Sequence, residues 1–269
     1  KVVACIDKPT MQFVNPLLKR KAFIWWNFPV SDYVRDRLLM GAVYGNGTDI
    51  NDDISAFISN PMEHAEASKI ALFSIADYAW NMDAYKSDAS WRRAVRCLMP
   101  GHAAALQVFA SHNADLGGNE HDFRREESEQ IRPALERLLD AYCREGKREV
   151  AAASAVTEEC ERMIASANLL LASDENPALI KEISPWLMQF KLLGEYGREV
   201  LCMLAAQCDG KKTELEKAAS HAGALQVLMK RIDATYNQNG FQPGVKTGNC
   251  HLKPAFDRLY QEVVQRIGK

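Results

Sequence analysis

Trp25, Trp26, Asn27 and Asp32 bring two indoles, an amide and a carboxylate into one short run of the chain. Together these groups are what a sugar pocket needs. Amides and carboxylates pair with hydroxyls, while apolar sugar faces and substituents pack on a ring. Ala22 to Trp26 is a continuous apolar run between the basic Lys19-Arg20-Lys21 and the polar Asn27. Such a run fits a parallel strand covered on both faces and ending at Asn27. In barrels of alternating strands and helices, chemistry sits just past the C-terminal ends of the strands. Asn27 and Asp32 occupy that place. Side chains alternate faces along a strand, so at most one of the two indoles points to the pocket. Asp32 also reads as the cap of a helix that follows it. Asn60, just before Pro61, reads as a helix N-cap, a role compatible with touching sugar.

The elements that must hold these groups read strand, helix, strand. Val2 to Ile6 is apolar and β-branched and ends at Asp7, a loop or cap residue. Met11 to Arg20 is a short helix with Phe13, Val14, Leu17 and Leu18 expected inward. A parallel pair with a covering helix is the repeating unit of a barrel or a doubly wound sheet. Beyond that the chain turns almost wholly helical. Asn60-Pro61-Met62-Glu63 carries the signals of a helix start. The helix it opens, to about Trp80, is apolar nearly all round at Ile70, Leu72, Phe73 and Ile75 and should be buried. Trp91 to Met99 stops at Pro100. Ile131, Leu135, Leu138 and Tyr142 form one stripe, closed by Gly146; Val156, Met163, Ala167 and Leu170 form another. Asn176-Pro177 starts a long helix to Gly210, with a bend expected at Pro185. Thr213-Glu214-Leu215-Glu216 reads as a capping box, and the final helix carries Phe256, Leu259, Val263 and Ile267. Long stripes with short connections imply an antiparallel helical bundle. A composition shift near residues 85–90 divides the chain into residues 1–88 and 89–269.

Several function classes are disfavoured. The 269 residues carry a formal net charge of -2, which gives no electrostatic case for nucleic acid or an anionic membrane. No apolar run approaches the roughly 20 residues of a membrane span. Seven scattered cysteines form no C-x-x-C and no zinc-finger spacing. Glu63-His64-Ala65-Glu66 is not a zinc-protease pattern. The cluster His112-Asn113-Ala114-Asp115, His121-Asp122 and Arg124-Arg125-Glu126-Glu127 reads as a salt-bridged structural loop. No metal and no organic cofactor is implied. Asp52-Asp53 reads as a solvated turn or cap.

The run Ile24-Trp25-Trp26-Asn27-Phe28-Pro29-Val30-Ser31-Asp32-Tyr33-Val34-Arg35-Asp36 resembles the end of the catalytic barrel of glycoside hydrolase family 84, the O-GlcNAcases. Gly41-Ala42-Val43-Tyr44-Gly45-Asn46 and Ser59-Asn60-Pro61-Met62-Glu63-His64-Ala65-Glu66 follow in the family's order. So do Arg124-Arg125-Glu126-Glu127-Ser128, Gln238-Asn239 and Gln242-Pro243-Gly244-Val245-Lys246-Thr247. The resemblance spans essentially the whole chain and is closest to bacterial members. It implies a mainly α chain: the last strands and helices of a (β/α)8 TIM barrel, then the helical bundle. It implies a retaining exo-β-N-acetylglucosaminidase that removes terminal N-acetylglucosamine (GlcNAc) from glycans or glycoproteins by substrate-assisted catalysis, one of the exceptions to the two-carboxylate scheme. It places the catalytic aspartate pair upstream, in the other half of the barrel, and no catalytic residue in this chain. It places a wall of the acetamide pocket at Trp25 and sugar-hydroxyl anchors at Asn27, Asp32 and Asn60. By analogy with bacterial members the enzyme is expected to be exported. Two alternatives stay open: a non-catalytic helical interaction or glycan-binding module, and a hyaluronidase-like endo-acting glycosidase.

Overall fold

The apolar run around Trp26 forms strand β1 (Ala22–Pro29), which pairs in parallel with β2 (Ile54–Asn60). The structure is a computed structural model and describes residues 5–115 and 125–267. β1 runs through Asn27 to Pro29 rather than stopping at Asn27. Its faces differ sharply. Trp26 packs edge-on against Phe57 of β2, with ring centroids 5.5 Å apart, and against Tyr78 at 5.9 Å. Tyr78 belongs to helix α2 (Ala65–Trp80), so this face is covered. On the opposite face Phe23 is 56% exposed, Trp25 69% and Ile58 of β2 47%. The expected cover on both faces is thus found on one.

β2 is absent from the sequence reading. Ser55 and Ser59 break its apolar pattern and look like turn residues. Each instead donates its hydroxyl across the sheet, Ser55 to the Ala22 carbonyl (2.9 Å) and Ser59 to the Phe28 carbonyl (2.8 Å). Of the expected first strand, Val2–Ala4 lie outside the described residues. Ile6 is irregular and is held by the Asn46 side chain and the Gly47 backbone. Helix α1 (Lys8–Leu18) begins at Asp7, whose carboxylate accepts from the Thr10 N–H at 2.9 Å. Those Thr10 hydrogen bonds hold the Asp7 carboxyl below its usual range. Asp7 is therefore a cap. The inward stripe expected of α1 holds only at Val14, which packs against the core beside the buried Met11, while Phe13 and Leu17 are among the most exposed apolar side chains and Leu18 is exposed too. Nothing among the described residues covers that side.

Two helix starts also differ. Asn60 ends β2 and caps nothing; α2 opens at Ala65, with its buried stripe through Ile70 and Ile75. Helix α8 (Lys212–Tyr236) starts at Lys212 with Lys211 as its N-cap, so the Thr213-Glu216 capping box does not form.

The remaining stripes behave as read. α3 (Ser87–Leu98) and α4 (Ala103–Ser111) lead to α5 (Arg132–Glu145), which ends at Gly146 with φ 67°. α6 (Val150–Leu171) buries Val156, Met163, Ala167 and Leu170. α7 (Pro177–Cys208) is capped by Asn176 and runs unbroken through Pro185. It packs against α6, α8 and α9 (Leu252–Ile267), and α2 also touches it. Between α8 and α9 lies a small hairpin, β3 (Asn237–Asn239) and β4 (Gln242–Pro243). One apolar core runs from β1 through the bundle. Among the described residues, no helix is long and apolar enough to cross a membrane.

Candidate functional site

The parallel register brings the C-terminal ends of β1 and β2 together, with Pro29 opposite Asn60. Asn27 lies on the same open face as Trp25, two residues on. Its Oδ1 accepts from the Trp25 indole N–H at 2.9 Å and from the Asn60 Nδ2 at 3.3 Å. Three of the four expected sugar-site residues therefore form one hydrogen-bonded cluster at the strand ends. The fourth, Asp32, sits in the loop just beyond β1. No helix follows it. Residues 31–37 are successive turns, held by Val34 N–H to the Ser31 carbonyl (2.9 Å) and Arg37 N–H to the Val34 carbonyl (3.3 Å). Asp32 is exposed and has no hydrogen bond or ion pair among the described residues. Neither Asp32 nor Asn60 caps a helix.

The turns that carry Asp32 are fastened from the bundle. The Asp36 carbonyl accepts from the Lys246 N–H at 2.7 Å and from the Trp186 indole N–H at 2.9 Å. The Asp36 carboxylate pairs with the Lys246 ammonium, and Arg35 donates to the Gly240 carbonyl at 3.1 Å. Sequence reasoning missed these partners. The matching word around Lys246 was visible, but no local signal ties it to a turn some two hundred residues away.

The polar cluster in the bundle is tied by ion pairs, as its reading as a salt-bridged structural loop expects, and its centre at His112 and Glu127 is buried. His112 Nδ1 lies 2.7 Å from the Ser128 hydroxyl and its Nε2 lies 2.7 Å from Glu159. Burial pushes the Glu159 carboxyl up, but His112 and Arg162 outweigh it and hold it below its usual range. Glu127 accepts from the Cys250 and His251 N–H groups, just ahead of α9. Burial raises its carboxyl despite those bonds. His121, Asp122 and Arg124 lie outside the described residues. A cavity of about 260 Å³ opens here, between Trp91, His112, Arg125 and Glu159. Its charges are already spent on one another: Arg125 pairs with Asp88 at 2.6 Å and lies over the Trp91 ring. Asp53 is likewise engaged, by Lys8 at 2.6 Å. Among the described residues, no three His, Cys, Asp or Glu side chains are grouped to hold a metal ion.

A family model described as beta-N-acetylglucosaminidase matches residues 1–111, and one described as bacterial GH84, post-catalytic domain, matches residues 127–260. Among curated proteins, Protein O-GlcNAcase of Rattus norvegicus is 29% identical over 84 residues, which is 31% of this chain and 9% of the rat protein. The Mus musculus protein matches equally. The solved structure of CpGH84D is 27% identical, with a TM-score of 0.80 over 96% of this chain and 42% of its own. CpGH84B reaches a TM-score of 0.84 at 23% identity, over the same shares. A mutant of the Thermobaculum terrenum O-GlcNAc hydrolase reaches 0.75 at 20% identity, over 100% of this chain and 55% of that one. The latter two are likenesses of fold alone. The chain spans well under two thirds of every one of these relatives.

Proposed function

The chain belongs to glycoside hydrolase family 84, and on that premise we propose that it supplies the sugar-binding edge of a retaining exo-β-N-acetylglucosaminidase. In this proposal residues 1–88 are the end of a (β/α)8 barrel and residues 89–269 the bundle behind it. The acetamido oxygen of the substrate attacks its own anomeric carbon, so the protein supplies no nucleophile. An aspartate pair from the upstream half of the barrel orients the acetamide and protonates the leaving oxygen. Trp25 forms a wall against the acetamido methyl. Asn27, Asp32 and Asn60 hold hydroxyls on the side of the ring away from the scissile bond.

One observation carries the proposal. An indole and two amides are hydrogen-bonded together at the C-terminal ends of two parallel strands, and a carboxylate unpaired among the described residues follows in the loop just beyond β1, where barrels place their chemistry. The open face of those strands supports an upstream half of the barrel packing there, because parallel strands in barrels are covered on both sides. The decisive experiment is hydrolysis of an aryl β-N-acetylglucosaminide by this chain and by the chain extended through the upstream strands. The chain alone should show no turnover, since general acid help alone is worth about 100- to 10,000-fold. The extended enzyme should be active. Robust activity of the isolated chain would overturn the assignment of the acids.

A further inference from the structure

The loop that carries Asp32 has no secondary structure of its own to hold it. Residues 31–37 are turns at the end of a strand whose far face is open. A carboxylate that must bind a sugar hydroxyl within a few tenths of an ångström needs more than two turn hydrogen bonds. The missing restraint comes from the bundle. Five contacts converge on Arg35 and Asp36, three and four residues past Asp32. Lys246 uses both its backbone N–H, to the Asp36 carbonyl, and its ammonium, to the Asp36 carboxylate. Trp186 of α7 donates to the same carbonyl. Arg35 donates to the Gly240 carbonyl and lies over the Phe241 ring, 4.7 Å from its centroid.

The segment making these contacts is itself braced. The Asp233 carboxylate of α8 accepts from the Val245 N–H at 2.9 Å, and Gln189 of α7 donates to the Val245 carbonyl at 3.1 Å. Val245 is fully buried. The bundle thus presents Lys246, through a short buried anchor, to the loop that carries Asp32.

We propose that Lys246, together with Arg35, is a positioning residue for Asp32: the bundle acts as a clamp that fixes the sugar-anchoring loop. This rests on the reading of Asp32 as a hydroxyl anchor. It assigns the bundle a part in substrate binding although none of its residues need touch sugar. The Asp36 carboxylate is largely buried and shared between Lys246 and Arg37. Losing the ammonium therefore leaves a charge that must turn toward water and drag the loop with it.

The test is a double-mutant cycle in the full-length enzyme, with Lys246→Met, Lys246→Arg, Arg35→Ala and Asp32→Ala, read by kcat/KM on an aryl β-N-acetylglucosaminide. Asp32→Ala should lower kcat/KM by about 10- to 200-fold. Lys246→Met should lower it by about 10-fold, Lys246→Arg should recover most of the loss, and Arg35→Ala should fall between. In the Asp32→Ala background, Lys246→Met and Arg35→Ala should add little, because the group they position is gone. Arg35→Ala, at a half-buried site outside the core, serves if Lys246→Met folds poorly. Full additivity with Asp32→Ala, or silent Lys246 and Arg35 variants beside a damaging Asp32→Ala, overturns the clamp alone. Unchanged kinetics in Asp32→Ala overturns the anchor reading and the clamp with it.

Discussion

Trp25 and Trp26 are adjacent, and the strand sends them to opposite environments. Trp26 is locked among Phe28, Phe57 and Tyr78. Trp25 keeps most of its surface open and ties its indole N–H to Asn27. Trp25→Ala should therefore change stability by less than about 0.5 kcal/mol, as for a surface site. In the full-length enzyme it should weaken transition-state binding of acetamido substrates by about 1–3 kcal/mol, or about 5- to 150-fold in kcat/KM. Unchanged kinetics would move the acetamide wall to another residue. His64 offers a second residue-level test. Its ring sits edge-on to Trp186, with centroids 4.9 Å apart. Burial holds its pKa below the ordinary 6.5, against the opposing pull of Glu182 and Glu63. A lowered folded-state pKa means the unfolded chain takes up the proton first. The stability contributed is whole above 6.5 and is lost as pH falls through the folded value. His64→Phe keeps a ring on Trp186 and removes the titration. Its melting temperature should fall less than the parent's between about pH 7 and pH 5. Equal falls would clear His64 of the effect.

At the scale of elements, the bundle depends on close helix approaches. Gly197 of α7 lies where an added Cβ would meet the Phe256 ring at 2.5 Å and the Cys160 sulfur at 2.8 Å. Both neighbours are buried, Phe256 from α9 and Cys160 from α6. Gly197→Ala should cost about 1–3 kcal/mol through overpacking, more than its gain in helix propensity. Gly223 of α8 is the control, because nothing lies within 4 Å of its virtual Cβ. Gly223→Ala should stabilise by about 0.4–1 kcal/mol. Denaturant midpoints of the two variants should move in opposite directions. A neutral Gly197→Ala would mean that α6, α7 and α9 separate more easily than their packing implies. The same scale explains the isolated cluster of His112, Ser128 and Glu159. It joins the end of α4 and the start of α5 to α6, where an unpaired charge would be costly.

For the whole molecule, the apolar residues left open are the informative ones. Phe13 and Leu17 of α1, Phe23 of β1 and Ile58 of β2 lie exposed on the strand-and-helix end of the chain. Scattered apolar residues are ordinary on a surface, but grouped on one part of a fold they mark a contact. The isolated chain should bind a hydrophobic-surface dye and self-associate. Phe13→Glu combined with Leu17→Lys should reduce both without lowering its melting temperature. In the full-length enzyme the same pair should destabilise, because there it would bury unpaired charges. Equal, small effects in both settings would show that this face is not an interface.

Local physics, read from the sequence alone, determined most of the bundle helices, though not the short α4. Their stripes at three-and-four spacing, Asn176 as a cap and Gly146 as a C-terminal stop all needed only neighbouring residues to be legible. The words around Trp25 and Asn60 were equally legible, because they are contiguous. Tertiary structure decided what contiguity cannot express. Which indole faces the open side depended on where α2 lands. That Asn60 ends a strand instead of starting a helix depended on pairing with β1, which outweighed the cap and proline signals beside it. That α1 shows its apolar side depended on what lies against it. And the tie between Asp36 and the bundle depended on Lys246 reaching it from far along the chain, since hydrogen bonds between distant segments leave no periodicity in either one.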